Sequence, residues 1–348
     1  MEAPLKTPKL TSLVVAQLAQ VSQATVSRAL RDSPLVKPET RARVQEIARE
    51  LHYRTDRSAA GLRTRCSRTL ALLLFEESPE EGQINPFFLS MLGHIARAAA
   101  RRSFDLLVSF QQLSDDWHTD YELSNRADGL ILLGYGDYLS YADRLRHLAE
   151  TDAHFVIWGP VVENQPGHYL CCDNVLGARL ATGHLLAQGR RQIAFAGGAS
   201  DHCPEFQLRH RGYAEALREA GAGPDARLHA EAQSNEADGY RAGQRLLDSG
   251  VPFDAVFAAS DLIAMGVIHA LQDRGLAVPG DVAVVGFDDI ASAADFNPPL
   301  TTVRQDTRLA GELLVDNLIR LIEGRAVELT AIAPEFVVRA SCGRRSAA

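Results

Sequence analysis

The spacing of apolar positions changes character twice along the chain. Residues 1–8 show no periodicity, as expected of a mobile arm. Between residues 10 and 52 three short helical patterns follow one another. In the first, Leu13, Ala16, Gln17, Leu18 and Ala19 are expected on one face. Ser22 then predicts an N-cap for a second helix over Gln23 to Leu30, because its hydroxyl can accept from free amides of the first turn. Val26, Ala29 and Leu30 point inward there, which leaves Gln23, Ala24, Ser27 and Arg28 facing out. A third helix starts near Pro38, a residue suited to the first turn, and carries Val44, Ile47, Ala48 and Leu51 at helical spacing.

From Thr69 onward short apolar runs alternate with amphipathic helices. The runs are Leu70 to Phe75, Leu106 to Phe110, Leu130 to Leu133, Phe155 to Trp158, Ile193 to Ala196, Ala255 to Ala258 and Val282 to Phe287. Strands this uniformly apolar are buried on both faces, which predicts parallel sheets covered by helices. The intervening helices are expected over Phe87 to Arg102, Ala178 to Gln188, Glu205 to Ala220, Asp238 to Asp248 and Asp261 to Arg274. That is too many strands for one small sheet, so two successive doubly wound lobes are expected, the second starting near Asp173.

Charge sharpens this division. Residues 1 to 68 hold 13 Lys and Arg against 6 Asp and Glu, so the chain's net charge of −8 arises wholly from the remainder. A basic head on an acidic body suits a nucleic-acid-binding module joined to an unrelated globular unit. No apolar stretch reaches the ~20 residues of a membrane-spanning helix and no apolar signal core follows Met1, so a cytoplasmic protein without membrane association is expected. The five cysteines lack Cys-x-x-Cys spacing and read as reduced structural thiols.

Two short helices joined by Gln20-Val21-Ser22 fit a helix-turn-helix. On the second, Arg28 can donate in bidentate fashion to guanine, Gln23 can pair with adenine, and Ala24 can touch a thymine methyl. A helical adaptor with a merely solvated polar face satisfies the same periodicity. The residues themselves then resemble a known family. Val15-Ala16-Gln17-Leu18-Ala19, Val21 through Leu30, Pro38 through Val44 and Leu51-His52-Tyr53-Arg54 are similar to the DNA-binding head of the LacI/GalR transcriptional regulators. The resemblance continues through Asn85-Pro86-Phe87-Phe88, Ala127 through Leu132, Asp281 through Asp289 and Pro298 through Asp306, nearly the whole chain.

The resemblance implies an all-α helix-turn-helix DNA-binding domain at 9–54, a hinge at 55–67, and an α/β two-lobed, periplasmic-binding-protein-like domain with parallel sheets at 68–342. Its N-lobe is expected at about 68–172 and 306–333, its C-lobe at about 173–305 and 334–342. Gln23, Ala24 and Arg28 then read bases, while Ser22, Thr25, Ser27, Thr40 and Arg41 lie near phosphates. Leu62 matches a leucine that wedges into the minor groove; a merely flexible basic linker is the plainer reading of this segment. The chain departs from the family pattern at Val14, Gln20, Thr55 and Asp56. The commonly glycine position at Gln20 costs about 1 kcal/mol if its φ is positive.

For the body, polar residues just after strands are the candidates, since ligands bind outside the carboxyl ends of strands in such folds. These are Asp288 and Asp289, Ser260 and Asp261, and Trp158, which is either a stacking platform or core. The resemblance adds Phe87, Arg209 and Gln305 as effector-contacting residues. It implies a homodimer on pseudopalindromic double-stranded operator DNA, and no heptad repeat follows the expected last strand, Glu335 to Arg339, to make tetramers. A mono- or oligosaccharide is the expected effector and repression of carbohydrate-utilisation genes the expected role, with purines or sugar phosphates as rivals. An acidic body disfavours a multiply charged phosphate, although Arg209 and Arg211 together could offset that. His202, Cys203 and His210 match no metal motif, no cofactor is expected, and no catalytic motif appears. A solute-binding receptor or an enzyme is the remaining alternative.

Overall fold

In a computed structural model the described residues are 11–30, 32–51, 53, 66–75, 84–134, 141–160, 166–327 and 331–343. The arm at 1–8 and the hinge residues Thr55, Asp56 and Leu62 lie outside them. The chain divides into two compact units, Met1–Ser67 and Arg68–Ala348.

The first unit is a three-helix head: α1 (Ser12–Leu18), α2 (Gln23–Ala29) and α3 (Pro38–Glu50). Its core is Val15, Ala16, Ala19, Val26, Ala29, Val36 and Val44, with Leu30, Ile47, Leu51 and Tyr53 packed around it. The buried stripe of α1 therefore differs from the expected one. Leu13 and Leu18 are 53% and 56% exposed, while Val15, which the spacing had not singled out, is fully buried. With only seven residues, α1 can bury one narrow stripe (i, i+1, i+4), and the small residues on it let α2 approach closely. Ser22 caps α2, its Oγ accepting from the Thr25 amide at 3.1 Å. Gln20, in the turn between α1 and α2, has φ 54°.

The second unit opens with a five-stranded parallel sheet in the order β2-β1-β3-β4-β5, formed by β1 (Thr69–Leu74), β2 (Asp105–Phe110), β3 (Leu130–Leu133), β4 (Phe155–Trp158) and β5 (His168–Leu170). Helices α4 (Pro86–Arg101) and α5 (Ala142–Glu150) belong to this lobe. β2 is its edge strand, and Val108 is 45% exposed, so the expected burial on both faces does not extend to it. An apolar run cannot reveal which strand lies at an edge.

After the crossing segment at Cys171–Asp173 comes a second parallel sheet, β7-β6-β8-β9, from β6 (Ile193–Ala196), β7 (His229–Ala230), β8 (Ala255–Ala258) and β9 (Ala283–Val285). Helices α6 (Asn174–Ala187), α7 (Pro204–Glu219), α8 (Glu236–Asp248) and α9 (Asp261–Asp273) accompany it, followed by the short α10 (Ala291–Asp295). α8 and α9 pack so closely that a Cβ on Gly266 would meet the Glu236 carbonyl at 2.1 Å, so glycine is required there. α6 begins four residues before the expected Ala178, because the Asp173 side chain caps it by accepting from the Leu176 amide.

Two further strands, β10 (Thr302–Arg304) and β11 (Glu335–Val337), pair antiparallel. Between them α11 (Thr307–Ile322) returns to pack on α4 of the first lobe. The two strands and the segment around Cys172, which bridges to Ile332, are the three crossings between lobes. No helix among the described residues is long and apolar enough to cross a membrane.

Candidate effector site and DNA-reading face

Each sheet has the strand order of a doubly wound fold with one reversal of direction, between β1 and β3 in the first lobe and between β6 and β8 in the second. At such a reversal the following helices diverge and leave a crevice at the strands' carboxyl ends. Most of the expected effector residues stand at or after the carboxyl ends of strands. Phe87 sits in the first turn of α4, after β1; Trp158 ends β4; Ser260 follows β8; Asp288 follows β9; Gln305 follows β10.

Arg209, on α7, is the hub and is 1% exposed. Its Nε donates to Asn174 Oδ1 at 2.9 Å, its Nη1 donates to the carbonyl of Ala259, and the carboxylate of Asp288 lies 3.5 Å from Nη1. The guanidinium carbon stands 3.8 Å from the centroid of the Phe287 ring, a cation–π contact in a dry setting. Gln305 Nε2 donates to Asp288 Oδ1 at 2.7 Å. A buried guanidinium with this many acceptors is fixed in place before any ligand arrives, which is what geometric recognition requires.

Phe87 and Trp158 face one another with ring centroids 6.2 Å apart, at 1% and 3% exposure. Trp158 is part of the main core cluster as well as the end of its strand. Ser260 caps α9 by accepting from the Ile263 amide, and also accepts from Ser234 Oγ at 2.9 Å. Ser234 in turn accepts from Asn85 Nδ2 at 3.2 Å. Asn85 caps α4 of the first lobe, so this chain of bonds spans the two lobes.

Several participants were not singled out in the sequence. Asn174 is placed by its own Nδ2, which donates to the Cys172 carbonyl at 3.0 Å and turns Oδ1 toward Arg209. Its only signal is its position just after the crossing segment. Glu205 is 2% exposed and lies one helical turn before Arg209 on the same face of α7. Asp261, by contrast one of the strand-end candidates read from the sequence, is fully buried, accepts from Thr302 Oγ1 at 2.5 Å and the Ile290 amide at 2.9 Å, and is pushed well above the usual carboxylate range by burial and by Asp288. Arg211 does not join Arg209: it pairs with Glu215 at 2.9 Å with 64% of its side chain exposed. His210 stacks on His229 at 5.1 Å, and burial lowers its pKa. Burial pushes the thiols of Cys171 and Cys172 up to about 11 and about 12, which keeps them protonated and poorly nucleophilic. Among the described residues no group of three or more His, Cys, Asp or Glu side chains is arranged to hold a metal ion.

In the head, Gln23, Ala24 and Arg28 are exposed on one side of α2, and Ser22 lies at its start. Gln23 Nε2 lies 3.3 Å from Ser12 Oγ. Thr25, Ser27 and Thr40 are half-buried, and Ser22 Oγ is 2.9 Å from Thr25 Oγ1. Arg41 donates to the Ser33 and Val36 carbonyls at 2.9 and 3.2 Å; it fastens the loop before α3.

Residues 14–56 match the signature of bacterial regulatory proteins of the lacI family, and residues 182–342 that of a periplasmic binding protein-like domain. The helix-turn-helix-type transcriptional regulator CelR of Thermobifida fusca is 34% identical over 320 residues, covering 90% of this chain and 92% of that protein. The lac repressor dimer bound to operator and the anti-inducer ONPF superimposes with a TM-score of 0.81 at 27% identity, over 96% of this chain and 99% of that one. A CelR–cellobiose complex gives 0.69 at 31% identity, over 96% and 100%. A helix-turn-helix head, an α/β body of parallel sheets and near full-length similarity together place the chain in the lacI family of bacterial regulatory proteins.

Proposed function

We propose that the protein is a repressor whose grip on operator DNA is set by a neutral sugar bound between the two lobes of its body. The observation that carries this reading is the Arg209–Asp288–Gln305 constellation, buried and pre-fixed where the two sheets present their carboxyl ends. Carboxylates accept from paired sugar hydroxyls, a guanidinium donates to them, and the rings of Phe87 and Trp158 offer an apolar wall. The likeness to a cellobiose complex supports a saccharide. The charge balance supports a neutral one: Glu205 and Asp288 outnumber Arg209, and Arg211 is turned away.

In the head, Gln23, Ala24 and Arg28 read base edges while Ser22, Thr25, Ser27 and Thr40 lie toward phosphates. Two copies act as a two-fold dimer, as in the lac repressor complex, so that two heads address two half-sites. Ligand and operator are then coupled reciprocally, each changing the other's affinity by the same factor. The protein acts by binding and turns nothing over. Thermal-shift titration of the full chain with cellobiose, other neutral mono- and disaccharides, sugar phosphates and purines tests this. A ligand at a hundred times its Kd adds about 2.7 kcal/mol to the folded state. Stabilisation by a neutral saccharide is expected; stabilisation by phosphates or purines alone overturns the choice of ligand.

A further inference from the structure

The turn that presents Asp288 contains two consecutive non-glycine residues with positive φ, Asp288 at 119° and Asp289 at 55°. An L side chain in that region crowds its own backbone, so such a turn persists only where surrounding contacts hold it. The two carboxylates have separate partners. That of Asp288 meets Arg209 and Gln305. That of Asp289, only 8% exposed, accepts from Arg304 Nε through Oδ2 at 2.6 Å and from Arg339 Nη2 through Oδ1 at 2.6 Å. Arg304 ends β10 and Arg339 follows β11, the two antiparallel strands that cross between the lobes. Arg304 also pairs with Glu335 of β11 at 2.8 Å, and Arg339 Nη1 donates to the Leu300 carbonyl at 2.7 Å.

We propose that Asp289 is the positioning residue of the effector site. Its two ion pairs hold the strained turn that aims Asp288 at Arg209, and they fasten that turn to the strands that cross between the lobes. Asp289 does not touch the effector; it sets where Asp288 stands and links any displacement of Asp288 to β10 and β11. The geometric part is independent of which effector binds, and the consequence for binding rests on the function proposed above.

The test uses the full-length protein and two variants, Asp289→Gly and Asp289→Asn. Glycine adopts φ 55° without strain, so if Asp289 merely tolerates the turn, the glycine variant behaves as wild type or better. Hydrogen exchange reads the turn directly, because the Asp288 amide donates to the Val303 carbonyl at 2.8 Å and the Ile290 amide to Asp261 at 2.9 Å. In Asp289→Gly both amides are expected to exchange about tenfold faster or more, and in Asp289→Asn by less, while the Val284 amide, bonded to the Ser341 carbonyl, keeps its rate; that pattern marks local rather than global opening. With cellobiose as probe, affinity is expected to fall about tenfold in the glycine variant and operator binding without sugar to stay unchanged. Wild-type exchange at Asp288 and Ile290 in Asp289→Gly overturns the proposal. Failure of wild type to bind cellobiose counts against that sugar alone, because the exchange measurement still decides the role of Asp289.

Discussion

In the head, the residues proposed to read DNA stand exposed on a helix whose core is built from valines and alanines, so each is expected to be replaceable without disturbing what lies beneath it. In the body, Arg209, Asp288 and Gln305 are each no more than 3% exposed and are held by residues of the second lobe and of the crossing strand β10. Recognition in the first case is a property of side chains on one helix. In the second it is a property of the tertiary structure, so binding and stability cannot be separated there. This difference gives the sharpest predictions.

Arg209→Ala has the largest expected effect. It leaves Asp288 buried without its cation, a loss of about 3–5 kcal/mol in unfolding free energy, and it abolishes effector binding; urea unfolding and ligand titration on the same variant check both. Arg28→Ala is its counterpart in the head. It is expected to cost about 1–3 kcal/mol on operator and less on unrelated DNA, with no change in the melting of the body. Equal losses on both DNAs in a gel-shift titration would assign Arg28 to phosphates instead. Gln20→Gly removes the strain of φ 54° and is expected to stabilise the head by about 1 kcal/mol, visible as a higher melting temperature of the head.

The smallest effect concerns protons. Burial lowers the pKa of His184, whose Nε2 sits 3.2 Å from Cys342 Sγ. A histidine with a depressed folded pKa contributes stability that is present above its unfolded value near 6.5 and is lost as pH falls through the folded one. Replacing it by Gln is therefore expected to reduce the drop in melting temperature between pH 7 and pH 5. An unchanged drop would show that this ring titrates alike in both states.

The same contrast explains what the sequence disclosed. The helix-turn-helix, with Ser22 as cap and Gln23, Ala24 and Arg28 outward, is local and could be read from spacing. So could most strands, because runs such as Ala255 to Ala258 are buried on both faces. The short β5, β7 and β10 escaped because two or three residues carry no periodicity, and the buried stripe of α1 was misplaced because seven residues fit several faces. Phe87, Arg209 and Gln305 came from family likeness, not from pattern, whereas Asp288 was marked by its place just after an apolar run. Asn174, Ser234 and the Asp289–Arg304–Arg339 cluster draw their roles from contacts between segments 15 to 149 residues apart in sequence. No local window contains them.

The central claim is that a ligand held at Arg209 governs the hold of the head on DNA. Its most direct test is a titration of full-length protein on its own operator, found among promoter fragments of its genome, with and without saturating stabilising sugar, for wild type and the milder Asp288→Asn variant. The account predicts that the sugar shifts wild-type operator affinity and that Asp288→Asn binds operator normally but no longer responds. Operator affinity that is the same with and without bound sugar would contradict it.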